Sequence, residues 1–386
     1  MRQQLRSELE APAELRKFGS GWIAGTLALA LSLAALILVL VLRQPALLGV
    51  PELSPIRETI WIKPILYAVM FAAYGLACIS LVLRPNKLLG TLAIVITLLA
   101  TIWGYLPQIG DLSGGNKIFF GVDFFLINAI FGGVLFVPLE RMFAKAEGQP
   151  VFRTEWREDL FYFFLSSMFV QFLAFVTLAP SNYINGTGLM NDVHHWVDGL
   201  NFFVQLICIM VLTDFVQYWF HRAFHRIPAL WRFHAVHHSA QSMDWMAGTR
   251  MHFIEIMLLR AFTATPAFAL GFSQSALQTY LLIIYVYSTF VHANLNWKLG
   301  FMEKFLVTPR FHHWHHGIEK EAVDVNFSIH FPLYDKLFGT YHMPKNRWPS
   351  GYGIGGHPVP KGYWQQFLYP FQQGNESKLT TEFSED

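Results

Sequence analysis

The chain has 386 residues, of which 53% are hydrophobic and only 14% charged, with a net charge of +2 at pH 7. Soluble globular domains carry about 25% charged residues, so this composition excludes an ordinary soluble enzyme and points to a protein built into a bilayer. No polar segment holds a basic stripe or an aromatic-spaced groove, which excludes a nucleic-acid binder. The two cysteines, Cys78 and Cys208, both lie in apolar runs and exclude an iron–sulfur centre or a disulfide framework.

In chain order, residues 22–42 form an uncharged stretch of 21 residues, long enough to cross roughly 30 Å of hydrocarbon as a helix. The run exceeds a signal-peptide core and is expected to stay as an anchor. Further spans are expected at 65–83, 88–106, 118–139, 160–179 and 200–220. The later apolar runs, 256–272 and 276–291, are shorter and are interrupted by Arg260 and Pro266. They are expected to form a re-entrant hairpin. The fold class is therefore all-α: a polytopic membrane protein with about six transmembrane helices. Residues 1–150 read as a scaffold of four spans without a histidine, 151–350 as the region that contains every candidate ligand, and 351–386, beginning GYGIGGHPVP, as an irregular tail.

Lysine and arginine in the short loops set the orientation. Arg2, Arg6, Arg16 and Lys17, then Arg84 and Lys87, then Arg141, Lys145, Arg153 and Arg157 fall on one side, whereas the intervening loops hold only Arg43 and Arg57, then Lys117, then none over 181–199. Positive charge stays inside, so the amino terminus is expected in the cytosol, of a bacterial inner membrane or of the endoplasmic reticulum. Six crossings return the chain to that side just before His221.

Histidines then appear in a pattern. HRAFH supplies His221 and His225, HAVHH supplies His234, His237 and His238, HHWHH supplies His312, His315 and His316, and His292 stands between. By composition an HxxHH is expected roughly 0.03 times in a chain of this length, and two occur. Spacings of three and four share one helical face, and neutral imidazole ligates iron, copper, nickel or zinc. Nine ligands are too many for one closed site and suit two metals. All-imidazole ligation leaves the metal charge uncompensated, so acids should bear on the rings. Asp214, Asp244, Glu255 and Asp324 are the candidates, Asp214 because it lies seven residues before His221 on the same face. His252 and His313 are further candidates to support the rings. His330 and His342 stand near the clusters, His194, His195 and His357 are expected in solvent, and Trp231, Trp245, Trp297 and Trp314 are expected as interfacial anchors.

The segments HRAFH, WRFHAVHHS, RMHFIE, FVHANLN, TPRFHHWHHG and DVNFSIHFPLYDKLFGTYH resemble the fatty acid hydroxylase and sterol desaturase superfamily over about residues 205–345. The resemblance implies a di-iron centre held by the nine histidines named above, dioxygen as co-substrate, and hydroxylation or desaturation of a lipid C–H bond, with a sterol or related polycyclic lipid slightly ahead of a fatty acyl lipid. No haem-attachment, dinucleotide-binding or iron–sulfur motif is present. An external donor (ferredoxin, cytochrome or flavin reductase) is therefore expected to supply electrons. Two rivals use the same ligands: a membrane zinc hydrolase, and a metal transporter or sensor without chemistry. A zinc protease would show H-E-x-x-H, which is absent, and a transporter would hold its ligands near mid-span.

Overall fold

The computed structural model describes residues 1–43, 60–105, 122–168, 170–356 and 358–372. Among these residues it is all helix with no β-strand. The chain divides into two compact units, Met1–Arg153 and Thr154–Asp386.

The first unit contains α1 (Arg2–Leu9), α2 (Trp22–Arg43), α3 (Ile62–Leu83), α4 (Leu88–Tyr105) and α5 (Val122–Met142). Helix α2 packs against α3, α4 and α5. The seams use small residues: Ala28, Ala77 and Ala93 meet in one cluster, Ala35 and Ala100 join Val39, Leu66 and Met70 in another. Without a hydrophobic drive in lipid, such close backbone approach is how spanning helices associate. Gly25 shows the limit, since a Cβ there would lie 2.4 Å from Ser80 Oγ. The charged amino-terminal segment is tied down by buried groups. Arg84 pairs with Glu8, whose carbonyl accepts from Trp22 Nε1, and Arg141 donates to Ala11 O at 3.3 Å.

The second unit contains α6 (Trp156–Met168), α7 (Val170–Gly186), α8 (Asn191–Asp198), α9 (Phe202–Arg226), α10 (Pro228–His238), α11 (Phe253–Ala269), α12 (Gln274–His292), α13 (Pro309–His315), α14 (Leu333–Leu337) and α15 (Tyr363–Leu368). Helix α9 is its axis, with α10, α11 and α12 packed around it. At one end Gln205 Oε1 accepts from Ser273 N at 2.8 Å and His194 Nε2 donates to Ala269 O at 2.8 Å, joining the α11–α12 turn to α8 and the start of α9. The other end gathers the last turn of α9, the first turn of α11 and the last turn of α12. Every histidine pattern lies at that end.

Among the described residues three helices, α2, α3 and α9, are long and apolar enough to cross a membrane. The run expected at 160–179 falls on two helices, α6 and α7, on either side of residue 169, which lies outside the described residues. The start of the expected span 118–139 lies outside them too, as do Leu106, Arg57, Lys117 and the end of the tail.

Candidate metal centre

Local sequence aims the three histidine patterns at one point. His221 and His225 sit one turn apart at the end of α9. Ile227 then breaks the helix and Pro228 opens α10 at its first position, where a missing N–H costs nothing. The resulting corner folds His234, His237 and His238 back over α9. Helix α13 likewise opens on Pro309, with Thr308 Oγ1 accepting from Phe311 N at 3.4 Å, and presents His312, His315 and His316 on one face.

The nine rings form two groups. His221, His225, His234, His238 and His315 make one; His237, His292, His312 and His316 make the other, and within each group one ligand atom per ring lies within 4.8 Å of all the rest. Adjacent rings come closer still. His221 Nε2 is 3.0 Å and His238 Nε2 3.1 Å from His234 Nε2, while His312 Nε2 is 2.9 Å from His292 Nε2. His238 and His316 stack at 4.4 Å and link the groups.

Hydrogen bonds on the far side of each ring decide which nitrogen is bare. Nδ1–H of His221 donates to Phe327 O, of His237 to Arg250 O, of His292 to Ser288 O and of His315 to Val325 O, at 2.7–3.0 Å. Carbonyls only accept, so Nε2 of each of these neutral rings carries a lone pair. His237 and His292 therefore point two lone pairs at each other across 3.3 Å. Nε2 of His225 and of His315 is buried without a partner. Such an arrangement is repulsive unless a cation sits among the nitrogens, and the residues fit a metal for that reason. Burial, and secondarily the neighbouring rings, holds His234, His237, His238, His312, His315 and His316 well below the usual imidazole range. They are neutral at pH 7, the form that ligates.

Two of the acids expected to support the rings touch one. Glu255 Oε1 accepts from His234 Nδ1 at 2.6 Å, and Asp324 lies 3.3 Å from His225 Nδ1 while pairing with Arg226. Asp214 does not. Its carboxylate accepts from the amides of Ile329, His330 and Phe331, at 2.8–3.1 Å, because non-helical backbone packed against a spanning helix has no water to satisfy it. Asp244 caps a turn through the amides of Met246 and Ala247, and its charge bears on His292. His252 caps α11, its Nδ1 accepting from Ile254 N and its Nε2 donating to Phe367 O. His313 stays outside both groups, donating to His292 O at 3.3 Å and accepting from Tyr352.

The remaining expectations divide. His330 is buried with Nε2 3.4 Å from the Tyr280 hydroxyl, and His342 is 3.7 Å from Glu321. His195 is exposed, whereas His194 is half-buried and hydrogen-bonded rather than solvated. His357 lies outside the described residues. Trp314 is fully buried, donating to Arg347 O, so it is no interfacial anchor, and Trp231 is half-buried against the rings of His225 and His238. Trp245 is buried as well, and Trp297 is half-buried against Phe290. The backbone carbonyls that fix the rings had no sequence signal, since every residue carries one. Gly248 did have one: a Cβ there would lie 2.7 Å from His292 Nδ1, so only glycine fits against that ring.

Residues 206–340 match the fatty acid hydroxylase family. This match covers about a third of the chain. The chain is 31% identical to an ornithine lipid hydroxylase of Rhizobium tropici over 48% of its own length and 56% of that protein. It is 30% identical to the alkylglycerol monooxygenase of Homo sapiens over 38% of its length and 32% of that protein, and 26% identical to a very-long-chain aldehyde decarbonylase of Oryza sativa over 33% and 22%. The chain thus spans about half or less of the length of these relatives. No solved structure matches it.

Proposed function

We propose that the chain is a membrane-bound oxygenase with two irons, one in each histidine group, that hydroxylates a C–H bond of an acyl or alkyl lipid. Dioxygen is the co-substrate and a separate donor supplies the electrons. The observation that carries this reading is the pair of adjacent, neutral, all-imidazole groups whose lone pairs converge at the end of an apolar helix long enough to span a bilayer. When bound, paired irons supply oxygen activation and hydrogen abstraction at carbon that no acid or base could ionise. The protein's own residues do the rest. The nine rings hold the ions, and Glu255 and Asp324 offset part of the positive charge while keeping His234 and His225 oriented. Trp231, Phe224 and Phe327 cover the rings with apolar surface, excluding water.

Topology supports a lipid substrate. We read α2 to α5, the α6–α7 pair and α9 as six crossings and α11–α12 as a re-entrant hairpin, which puts the amino terminus and both histidine groups at the cytosolic headgroups, where a buried charge costs less than at mid-bilayer. Hydroxylation is favoured over desaturation, and an acyl or alkyl lipid over a sterol, by two of the relatives, named for ornithine lipid and for alkylglycerol. Lipid mass spectrometry on membranes with and without the chain tests this. A product with one added oxygen, dependent on air and on a reductant, is expected. A product lacking two hydrogens, an oxidised sterol, or turnover after zinc loading without air would overturn the respective part.

A further inference from the structure

Between α13 and α14 runs the segment Asp324, Val325, Asn326, Phe327, Ser328, Ile329, His330, Phe331. Its backbone is unusual twice: Asp324 and Asn326 have φ of 58° and 60°, the left-handed region that Asp and Asn tolerate better than other side chains. Three of its first four residues meet three rings of the five-histidine group. Asp324 lies against His225 Nδ1 at 3.3 Å, Val325 O accepts from His315 at 2.7 Å, and Phe327 O accepts from His221 at 2.9 Å.

Three fully buried side chains hold that backbone, and none of them touches a ring. Asn326 Nδ2 donates to Phe311 O and His342 O, at 2.9 and 2.7 Å, while its Oδ1 accepts from His342 N at 2.8 Å. Asp335 accepts from Phe327 N at 2.7 Å, Ser328 N at 2.9 Å and the Thr340 hydroxyl at 2.7 Å. Asp214 takes the next three amides. In the four-histidine group, by contrast, the carbonyls that fix His237 and His292 come from Arg250 and Ser288, outside this segment.

We propose that Asn326, Asp335 and Asp214 are positioning residues for one metal of the two. They lock the segment 324–331 so that its carbonyls and one carboxylate pin the Nδ1 atoms of His221, His225 and His315, leaving Nε2 of each free for the ion. The proposal rests on the two-metal reading. An acceptor fixed behind a ligating ring sets its tautomer, its orientation and its basicity, and losing such support costs roughly 10–100-fold in metal affinity.

Cobalt(II) titration of the full-length protein in detergent, followed by metal stoichiometry and by the visible absorption of the bound ion, tests it. Wild type is expected to take two ions, and His221→Ala identifies the signal of the five-histidine group. Asp335→Asn, which keeps the shape but loses a carboxylate oxygen, and Asn326→Asp, which loses both donated bonds, should each weaken that signal's ion about tenfold or more and leave the other ion at wild-type affinity. Asn326→Gly, which permits the left-handed backbone but removes the tether, should do the same and serves if Asp335→Asn does not fold. Two ions held with unchanged affinity and spectrum would overturn the proposal, as would equal loss of both. A wild type that takes no cobalt would instead overturn the two-metal reading beneath it.

Discussion

The two histidine groups are built from the same side chain yet supported differently. Rings of the five-histidine group lean on an irregular loop and on two carboxylates, Glu255 and Asp324. Those of the four-histidine group lean on backbone carbonyls at Arg250 and Ser288, and among the described residues no carboxylate hydrogen-bonds to any of them. Nδ1 of His312 and of His316 is buried with no partner at all. One site is thus pinned by hydrogen-bonded carboxylates, whereas the other leans on carbonyls, with the Asp244 charge bearing on His292 and two Nδ1 atoms left bare. The pair is therefore asymmetric, and a cation should be held more firmly in the first site than in the second.

The strongest break comes from removing a ligand on either side. His315→Ala and His237→Ala should each abolish activity, and each should empty its own group while the other keeps metal. Metal analysis beside a lipid oxidation assay checks this, and unchanged iron would strike the residue from the ligand set. A smaller change separates charge from orientation in the pinned group. Glu255→Gln still accepts from His234 but drops the negative charge, so it should weaken that group's metal about tenfold, whereas Glu255→Ala, which loses the bond as well, should approach the hundredfold end of such effects. Equal losses in the two variants would assign the whole effect to the hydrogen bond.

Competition with a chelator sharpens the asymmetry without mutation. Release is expected in two phases, the four-histidine group first, and His237→Ala should delete the early phase. A single phase, or late loss from that group, would mean that the carboxylates do not set the order.

What could be read in advance followed from side-chain pattern. Spacings of three and four placed eight of the nine rings on shared helical faces, and hydrophobic length placed α9 and α12, at whose ends His221, His225 and His292 stand. Support for the rings was legible only where a side chain provides it, as at Glu255 and Asp324. Asp214 shows how a helical register can suggest the wrong role: it is buried within α9, but three amides of a distant segment reach its carboxylate and no ring does. Helical spacing orders residues within one element and says nothing about which remote backbone arrives there. Trp314 misled for the same reason, because a tryptophan beside a span reads as an anchor until Arg347 and His342 close over it.

The smallest effect tests whether histidine as such matters or only its placement. His194 sits at the opposite end of α9 from both groups, its ring packed against Gly271 and its Nε2 donating to Ala269 O. That bond closes the last turn of α11, where helix carbonyls lack partners of their own. His194→Ala should therefore leave metal content, cobalt spectrum and lipid oxidation unchanged and should cost about 1 kcal/mol in stability, visible as a modest fall in thermal midpoint in detergent. Metal loss in this variant would show that the two ends of the unit are coupled through α11, whose first turn carries Glu255, and the asymmetry between the groups would then depend on more than the atoms that touch the rings.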